Sequence, residues 1–231
     1  MSDLILLPCY NEIETLPRVI AEVLRWRGEA DVLVVDDGSQ DQSLQLLAGL
    51  PVAVLRHCNN EGYGQTLIDG FAYAATHHYQ YCVTLDCDEQ HEPRLIPRFL
   101  AELADCDVVS GSRYLEVNEG VPPLDRYQIN QEITQLLRSL TGLSLTDSFC
   151  GFKAYRVAAL ERLHLDEPGY AFPVQFWMQA ARAGLRVKEI PVSLIYKDFD
   201  RCFPGPLNTP EIRRQYYLRV IEEEVRKWQE S

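Results

Sequence analysis

The sequence predicts an α/β protein, a mostly parallel central sheet with helices on both faces. Three observations lead there. Short apolar runs of strand length alternate with longer amphipathic stretches through the first half of the chain. Each run stops at a cluster of polar and small residues, as strands do where they hand over to a loop. The 231 residues, 46% hydrophobic and 24% charged, suffice for one globular domain with a substantial core and are too few for two full ones.

Leu4, Ile5, Leu6 and Leu7 read as a buried strand, followed by a turn at Pro8, Cys9, Tyr10 and Asn11 and a helix over residues 12–26. A second strand over 32–35 ends at Asp36, Asp37, Gly38 and Ser39, and Asp41 is placed to cap a short helix reaching residue 47. Residues 52–55 form a third strand and 66–77 a helix. Between them Asn60, Gly62 and Gly64 shape a turn, where glycine permits close approach because it has no side chain. A strand over 81–85, a helix over 94–103 and a strand centred on Val108 and Val109 complete this half. In open parallel sheets ligands bind beyond the carboxyl ends of the strands. Five polar clusters, 8–12, 36–41, 60–64, 86–90 and 111–114, fall at such ends and together outline a site.

The sharpest chemistry follows Val83, Thr84 and Leu85, which open directly onto Asp86, Cys87, Asp88, Glu89, Gln90 and His91. Two carboxylates one residue apart at a strand tip can reach one hard divalent cation, Mg2+ or Mn2+, with the oxygens of a bound diphosphate completing its shell. Such a clamp suits a nucleotide-sugar donor, because charge builds on the departing phosphate as the sugar leaves. Taken alone, the pair also fits a solvated acidic turn.

Charge and cysteine content exclude other classes. A net charge of −12 argues against general nucleic-acid binding, so an anionic ligand must meet a local basic pocket. The seven cysteines are scattered without paired metal spacing, which fits reduced thiols in the cytoplasm. No apolar run approaches the roughly 20 residues a bilayer-spanning helix requires, so no transmembrane segment is expected. The first residues pass directly into a core-type strand, and no secretory signal is expected.

In order, Pro8-Cys9-Tyr10-Asn11-Glu12, Asp36-Asp37-Gly38-Ser39, Asp86-Cys87-Asp88 with Gln90 and His91, and Gly111-Ser112-Arg113-Tyr114 resemble the motifs of a family 2 glycosyltransferase. Within that family the chain is similar to the dolichol-phosphate (polyprenol-phosphate) mannosyltransferase and glucosyltransferase branch. The likeness runs over residues 4–196. It implies a GT-A-type nucleotide-sugar-binding fold and a metal-dependent, inverting transfer of a hexose from a GDP- or UDP-linked donor to a polyprenyl phosphate. It further implies that Pro8, Tyr10 and Glu12 line the base and ribose and that Asp37 holds the base. Tyr10 offers a face for stacking, and Glu12 and Asp37 are acceptors for base and ribose donors. By the same likeness Asp86 and Asp88 bind ribose, diphosphate and metal, Gln90 touches the sugar or phosphate region, and Arg113 meets the diphosphate in bidentate fashion. His91 reads as a hydrogen-bonded loop histidine.

The second half is expected to build the acceptor side. Ile129, Ile133, Leu136, Leu137 and Leu140 trace one face of a helix over 124–140, with Arg126 near its start. Thr146-Asp147-Ser148-Phe149-Cys150-Gly151-Phe152-Lys153 resembles the family segment beside the acceptor site. Asp147 is then either a base for a hydroxyl acceptor or a structural cap, since a phosphate acceptor is already ionised. A helix over 170–183 and a last extended segment over 187–196 follow. Beyond them the pattern departs from the dolichol-type enzymes. Arg201 and Gly205 correspond, and Arg201 is assigned to the donor, whereas the family's Ser and Lys are missing; Lys197 or Arg213 could substitute. The Gly- and Pro-rich loop reads as a closing lid, and residues 210–228 as an amphipathic helix that packs on the domain or docks peripherally on a membrane surface. The chain thus divides into a catalytic domain over 1–200, with a donor half at 1–115 and an acceptor half at 116–200, and a lid and tail helix over 201–231. Two alternatives stand beside transfer to polyprenyl phosphate: transfer to a saccharide or other hydroxyl with Asp147 as base, and a non-catalytic nucleotide-sugar-binding module.

Overall fold

In the computed structural model, which describes residues 2–116, 120, 122–196 and 202–230, seven strands form one sheet: β1 (Asp3–Cys9), β2 (Asp31–Asp36), β3 (Ala53–Arg56), β4 (Tyr81–Thr84), β5 (Val108–Ser112), β6 (Lys153–Arg156) and β7 (Val187–Pro191). Their order across the sheet is β3-β2-β1-β4-β6-β5-β7. β1 pairs in parallel with β2 and β4, β2 with β3, and β5 with β7; β6 alone runs antiparallel, between β4 and β5.

The neighbouring strands β1 and β2 show why the sheet is buried on both sides. Side chains alternate across a strand. Leu4, Leu6, Leu33 and Val35 therefore enter one core, while Ile5, Leu7, Val32 and Val34 enter the other. The first core is roofed by α3 (Tyr63–Thr76), α5 (Leu124–Thr141), α7 (Phe172–Arg182) and α8 (Pro210–Gln229). The second is covered by α1 (Leu16–Trp26) and α4 (Ile96–Glu102). Two single-turn helices, α2 (Ser43–Leu46) and α6 (Val157–Leu160), complete the set. A near-continuous apolar run is what a strand covered on both faces requires, and it explains why β1 and β2 were legible.

Helix faces follow the same logic. In α1 the buried residues Leu16, Val19, Ile20 and Val23 recur at helical spacing. α3 lies so close to β1 that a Cβ on Gly70 would stand 2.4 Å from Leu6 Cδ2. α7 is buried almost all round, with Trp177 at its centre.

Several boundaries differ from the sequence reading. The helix expected from residue 12 begins at Leu16, because Pro17 fits only a first turn; residues 12–15 instead form a turn in which Leu16 N donates to Glu12 O at 2.9 Å. In α5 Ile129, Ile133 and Leu137 are buried while Leu140 is exposed. In α8 Tyr217, Val220 and Ile221 face the core and Ile212 faces solvent. Among the described residues no helix is long and apolar enough to cross a membrane.

Strand β6 had no counterpart in the sequence reading, and it shapes the site. Because it runs backwards, its first residue, Lys153, pairs with Thr84 of β4 and Ser110 of β5. The preceding segment, 146–152, is thereby delivered to the carboxyl edge of the parallel strands.

Candidate active site

The parallel register sets Cys9 against Asp36 and Leu6 against Thr84, so the loops after β1, β2 and β4 leave from one edge. The first two are knitted together. Asn11, in the left-handed region at φ 54°, donates from its N–H to Ser39 Oγ at 2.9 Å, and its Oδ1 accepts from Gln40 N at 2.8 Å. Glu12 N donates to Ser43 Oγ at 3.1 Å, and Ile13 N to Asp41 Oδ2 at 3.1 Å. Pro8 is buried within β1, Tyr10 is 42% exposed at the lip, and the Glu12 carboxylate accepts from Thr15 Oγ1 at 2.8 Å.

The paired aspartates after β2 are both buried and face different ways. Asp36 Oδ2 accepts from Ser39 N at 3.2 Å and lies 3.5 Å from Arg56 Nε, while Oδ1 has no hydrogen-bond partner among the described residues. Asp37 turns toward the turn before α3. Its Oδ1 meets His57 Nδ1 at 2.8 Å and Glu61 N at 2.7 Å, and its Oδ2 accepts from Gly62 N at 2.9 Å.

At the tip of β4, Asp86 Oδ1 accepts from Tyr63 Oη at 3.1 Å, and Asp88 Oδ1 accepts from Gln90 N at 3.1 Å. Gln90 is half-buried beside them. Glu89, at φ 60°, points away and pairs with Arg18 at 2.8 Å. A Cβ on Gly151 would sit 2.5 Å from Asp86 Oδ2, so the backbone of the 146–152 segment forms the floor under this carboxylate. Thr84 Oγ1 fastens that floor by donating to Gly151 O at 2.8 Å. Two carboxylates on a strand tip, with oxygen donors alone, suit Mg2+ or Mn2+ sharing its shell with phosphate. The donor set therefore fits the cation that the sequence implies.

His91 packs behind the pair with its side chain 9% exposed, and its Nδ1 accepts the Asp86 N–H at 3.0 Å. Burial opposes its protonation, but the Cys150 thiol and the charges of Asp86 and Asp88 overcome that and lift its pKa to about 9. The Asp86 N–H needs an unprotonated Nδ1, so this backbone bond opposes the upward pull that Cys150, Asp86 and Asp88 exert on the ring.

At the end of β5, Arg113 meets Asp147, with Nε 2.6 Å from Oδ2 and Nη2 2.8 Å from Oδ1. Asp147 also accepts from Arg113 N at 3.2 Å and Phe149 N at 3.2 Å. Burial raises the Asp147 pKa, and the adjacent guanidinium more than reverses this, leaving it below the ordinary carboxylate value. Glu189 of β7 braces the loop, accepting from Thr146 N at 2.8 Å and Asp147 N at 3.0 Å. Trp177 Nε1 holds Ser148 O at 2.9 Å from the opposite side.

Tyr63 and Tyr170, which carried no weight in the sequence reading, join the site. Tyr63, one residue past the Gly62 turn, binds Asp86 and stacks on Tyr170, which meets Phe203 edge-on at 5.3 Å. Arg126 and Arg213 lie over the Phe203 ring at 4.9 and 4.5 Å. Lys153 is buried with its Nζ on Cys150 O, and desolvation lowers its pKa. The only advance signal for Tyr63 was its position beside Gly62 and Gly64. Arg213 is committed to Asp125 at 2.7 Å and to Leu207 O. Arg201 and Lys197 lie outside the described residues.

A family model described as Glycosyl transferase family 2 matches residues 4–164, well over half of the chain. The chain belongs to glycosyltransferase family 2. It is 33% identical over 207 residues to an undecaprenyl-phosphate mannosyltransferase from Micrococcus luteus, covering 86% of this chain and 85% of that protein. It is 30% identical over 208 residues to a polyprenol monophosphomannose synthase from Mycolicibacterium smegmatis, covering 84% and 78%. Among solved structures, the fold is similar to glucosyl-3-phosphoglycerate synthase from Mycobacterium tuberculosis. The complex of that enzyme with Mg2+ and UDP gives a TM-score of 0.75 at 18% identity over 96% of this chain and 79% of that one. The complex with Mn2+, UDP-glucose and phosphoglyceric acid gives 0.72 at 17%, with the same coverage. The protein is thus a glycosyltransferase with a GT-A-like fold, as its motifs implied.

Proposed function

We propose that this family 2 glycosyltransferase moves a hexose, with inversion, from a GDP- or UDP-linked donor to a polyprenyl phosphate. One observation carries the choice of acceptor. Asp147, the carboxylate a hydroxyl acceptor would need as base, is 1% exposed and closed by the Arg113 guanidinium on both oxygens. A group so paired and held ionised has little capacity to take a proton from an alcohol. A phosphate acceptor arrives ionised and needs no such base. The names of the two bacterial relatives support the same acceptor class and favour mannose as the sugar.

In this reading an acceptor phosphate oxygen attacks the anomeric carbon, forming the new glycosyl bond as the bond to the donor diphosphate breaks. The nucleoside diphosphate carries off the electron pair. Asp86 and Asp88 would hold a divalent cation, Mg2+ or Mn2+, which would supply positive charge to the leaving diphosphate. Arg113, oriented by Asp147, adds positive charge beside it. In the same reading Tyr10 stacks on the base, Pro8 and Glu12 line base and ribose, Asp37 holds the base, Gln90 serves the sugar or phosphate region and Arg201 is assigned to the donor. Tyr63 holds Asp86 in place and, through Tyr170, senses the 202–208 segment, which acts as a lid. The lipid acceptor implies work at a membrane surface, reached peripherally.

Labelled donor incubated with purified protein and either a polyprenyl phosphate or the matching polyprenol tests the assignment. Transfer to the phosphate alone is expected. Transfer to the alcohol or to a saccharide would restore the hydroxyl-acceptor reading and give Asp147 the role of base.

A further inference from the structure

A second cluster of ligating groups lies beside Asp37. His57 leaves the end of β3, with its N–H on Asp36 O at 2.9 Å and its side chain only 6% exposed. One ring nitrogen, Nδ1, is held by Asp37 Oδ1 at 2.8 Å. The other, Nε2, is buried and has no well-aligned hydrogen bond among the described residues, although Asp69 Oδ2 lies 3.0 Å away. Glu61, on the turn before α3, brings a third ligand. One ligand atom from each of His57, Glu61 and Asp69 lies within 4.8 Å of the others.

We infer that His57, Glu61 and Asp69 form a binding site for a divalent transition ion of the zinc class, separate from the catalytic cation. The misaligned approach of Asp69 is informative. A hydrogen bond places its acceptor along the ring N–H, whereas two ligands each about 2.1 Å from one ion stand about 3.0 Å apart at a right angle and about 3.4 Å apart at the tetrahedral angle, off each other's axis. Asp69 Oδ2, 3.0 Å away and off the ring N–H direction, is close enough to share one ion with Nε2. Asp37 supplies the partner that metal-bound histidines need, a carboxylate on the remaining ring nitrogen that fixes tautomer and orientation. Gln65 Nε2 steadies Asp69 by donating to its Oδ2 at 3.1 Å.

The donor set separates this site from the first. One imidazole and two carboxylates favour zinc, cobalt or nickel, while the all-oxygen pair at Asp86 and Asp88 favours magnesium or manganese. Glu61 is exposed, so the open side of the ion faces solvent and water fills the remaining position. Occupancy would tie the end of β3 to α3 and fix the loop whose Glu61 and Gly62 N–H groups Asp37 accepts. Gly62 cannot shift freely there, since its φ is 112° and a Cβ would stand 2.3 Å from Pro168 O.

The test is a zinc titration of chelator-treated, full-length protein against a chromophoric zinc indicator, repeated with cobalt to read its absorption bands. Wild type is expected to take up one equivalent in the micromolar range or tighter, with cobalt bands of an imidazole and oxygen site and a rise in Tm. Glu61→Gln, at an exposed position, and Asp69→Asn should each weaken uptake by roughly tenfold or more. Asp88→Ala should leave it unchanged, which keeps this site distinct from the proposed catalytic one. Zinc uptake that is absent in wild type, equal in Glu61→Gln and Asp69→Asn, or lost in Asp88→Ala would overturn the inference.

Discussion

Arg113 and Asp147 form a bidentate ion pair across the floor of the site, Nε to Oδ2 at 2.6 Å and Nη2 to Oδ1 at 2.8 Å, with Arg113 15% and Asp147 1% exposed. Their positions, 34 apart in sequence, meet because antiparallel β6 carries the 146–152 segment back beneath the end of β5. If Asp147 orients Arg113, Asp147→Asn and Arg113→Ala should damage the same step, and the double variant should lose little more than either single one. Steady-state kinetics of all three, with donor and acceptor varied separately, checks this. Roughly additive losses would mean that the two residues act independently.

The same pair makes a stability prediction with a definite sign. The Asp147 pKa is lowered in the folded protein, so its contribution is complete above the unfolded carboxylate value, about 3.9, and is lost as pH falls through the folded value. Breaking one side of a buried pair costs about 3–5 kcal/mol. Urea denaturation should therefore show Asp147→Asn less stable than wild type by that order near neutral pH. The gap should close below about pH 4.

Gly151 is predicted to be indispensable to the cation clamp. In Gly151→Ala the new Cβ would stand 2.5 Å from Asp86 Oδ2 and 3.0 Å from its Cγ, which forces the carboxylate away from Tyr63. Manganese-dependent nucleotide binding should fall by roughly tenfold or more, equivalent to about 1.4 kcal/mol. Circular dichroism should show the fold retained. Unchanged binding would indicate that Asp86 has room to move.

Gly70→Ala tests packing away from the site. Its Cβ would meet Leu6 Cδ2 at 2.4 Å and Cδ1 at 2.5 Å, between α3 and the central strand β1. Overpacking of this kind costs about 1–3 kcal/mol. A lower Tm and a lower urea midpoint are expected.

The sheet was legible where physics is local. β1 and β2 are uninterrupted apolar runs because both faces are covered, and each ends in the polar residues that build the site. β6 was not legible. Its four residues begin with Lys153, a charge that reads as surface and is buried only because Cys150 O and the Trp177 ring, 5.5 Å away, receive it. The destinations of the Asp36 and Asp37 side chains were equally hidden. Adjacent residues leaving a strand face opposite ways, and which of them meets His57 depends on where β3 and α3 pack. Tyr63 reaches Asp86 by the same long-range route, which no spacing in the sequence reveals.

The central claim is that Asp86 and Asp88 hold a cation through which a nucleoside diphosphate is bound. Calorimetric titration of GDP and UDP, with and without Mn2+, on wild type and Asp88→Ala tests it most directly. The account predicts that one nucleotide binds wild type, and that binding disappears without the metal and in Asp88→Ala. Binding indifferent to both metal and Asp88, or no binding of either nucleotide, would contradict it.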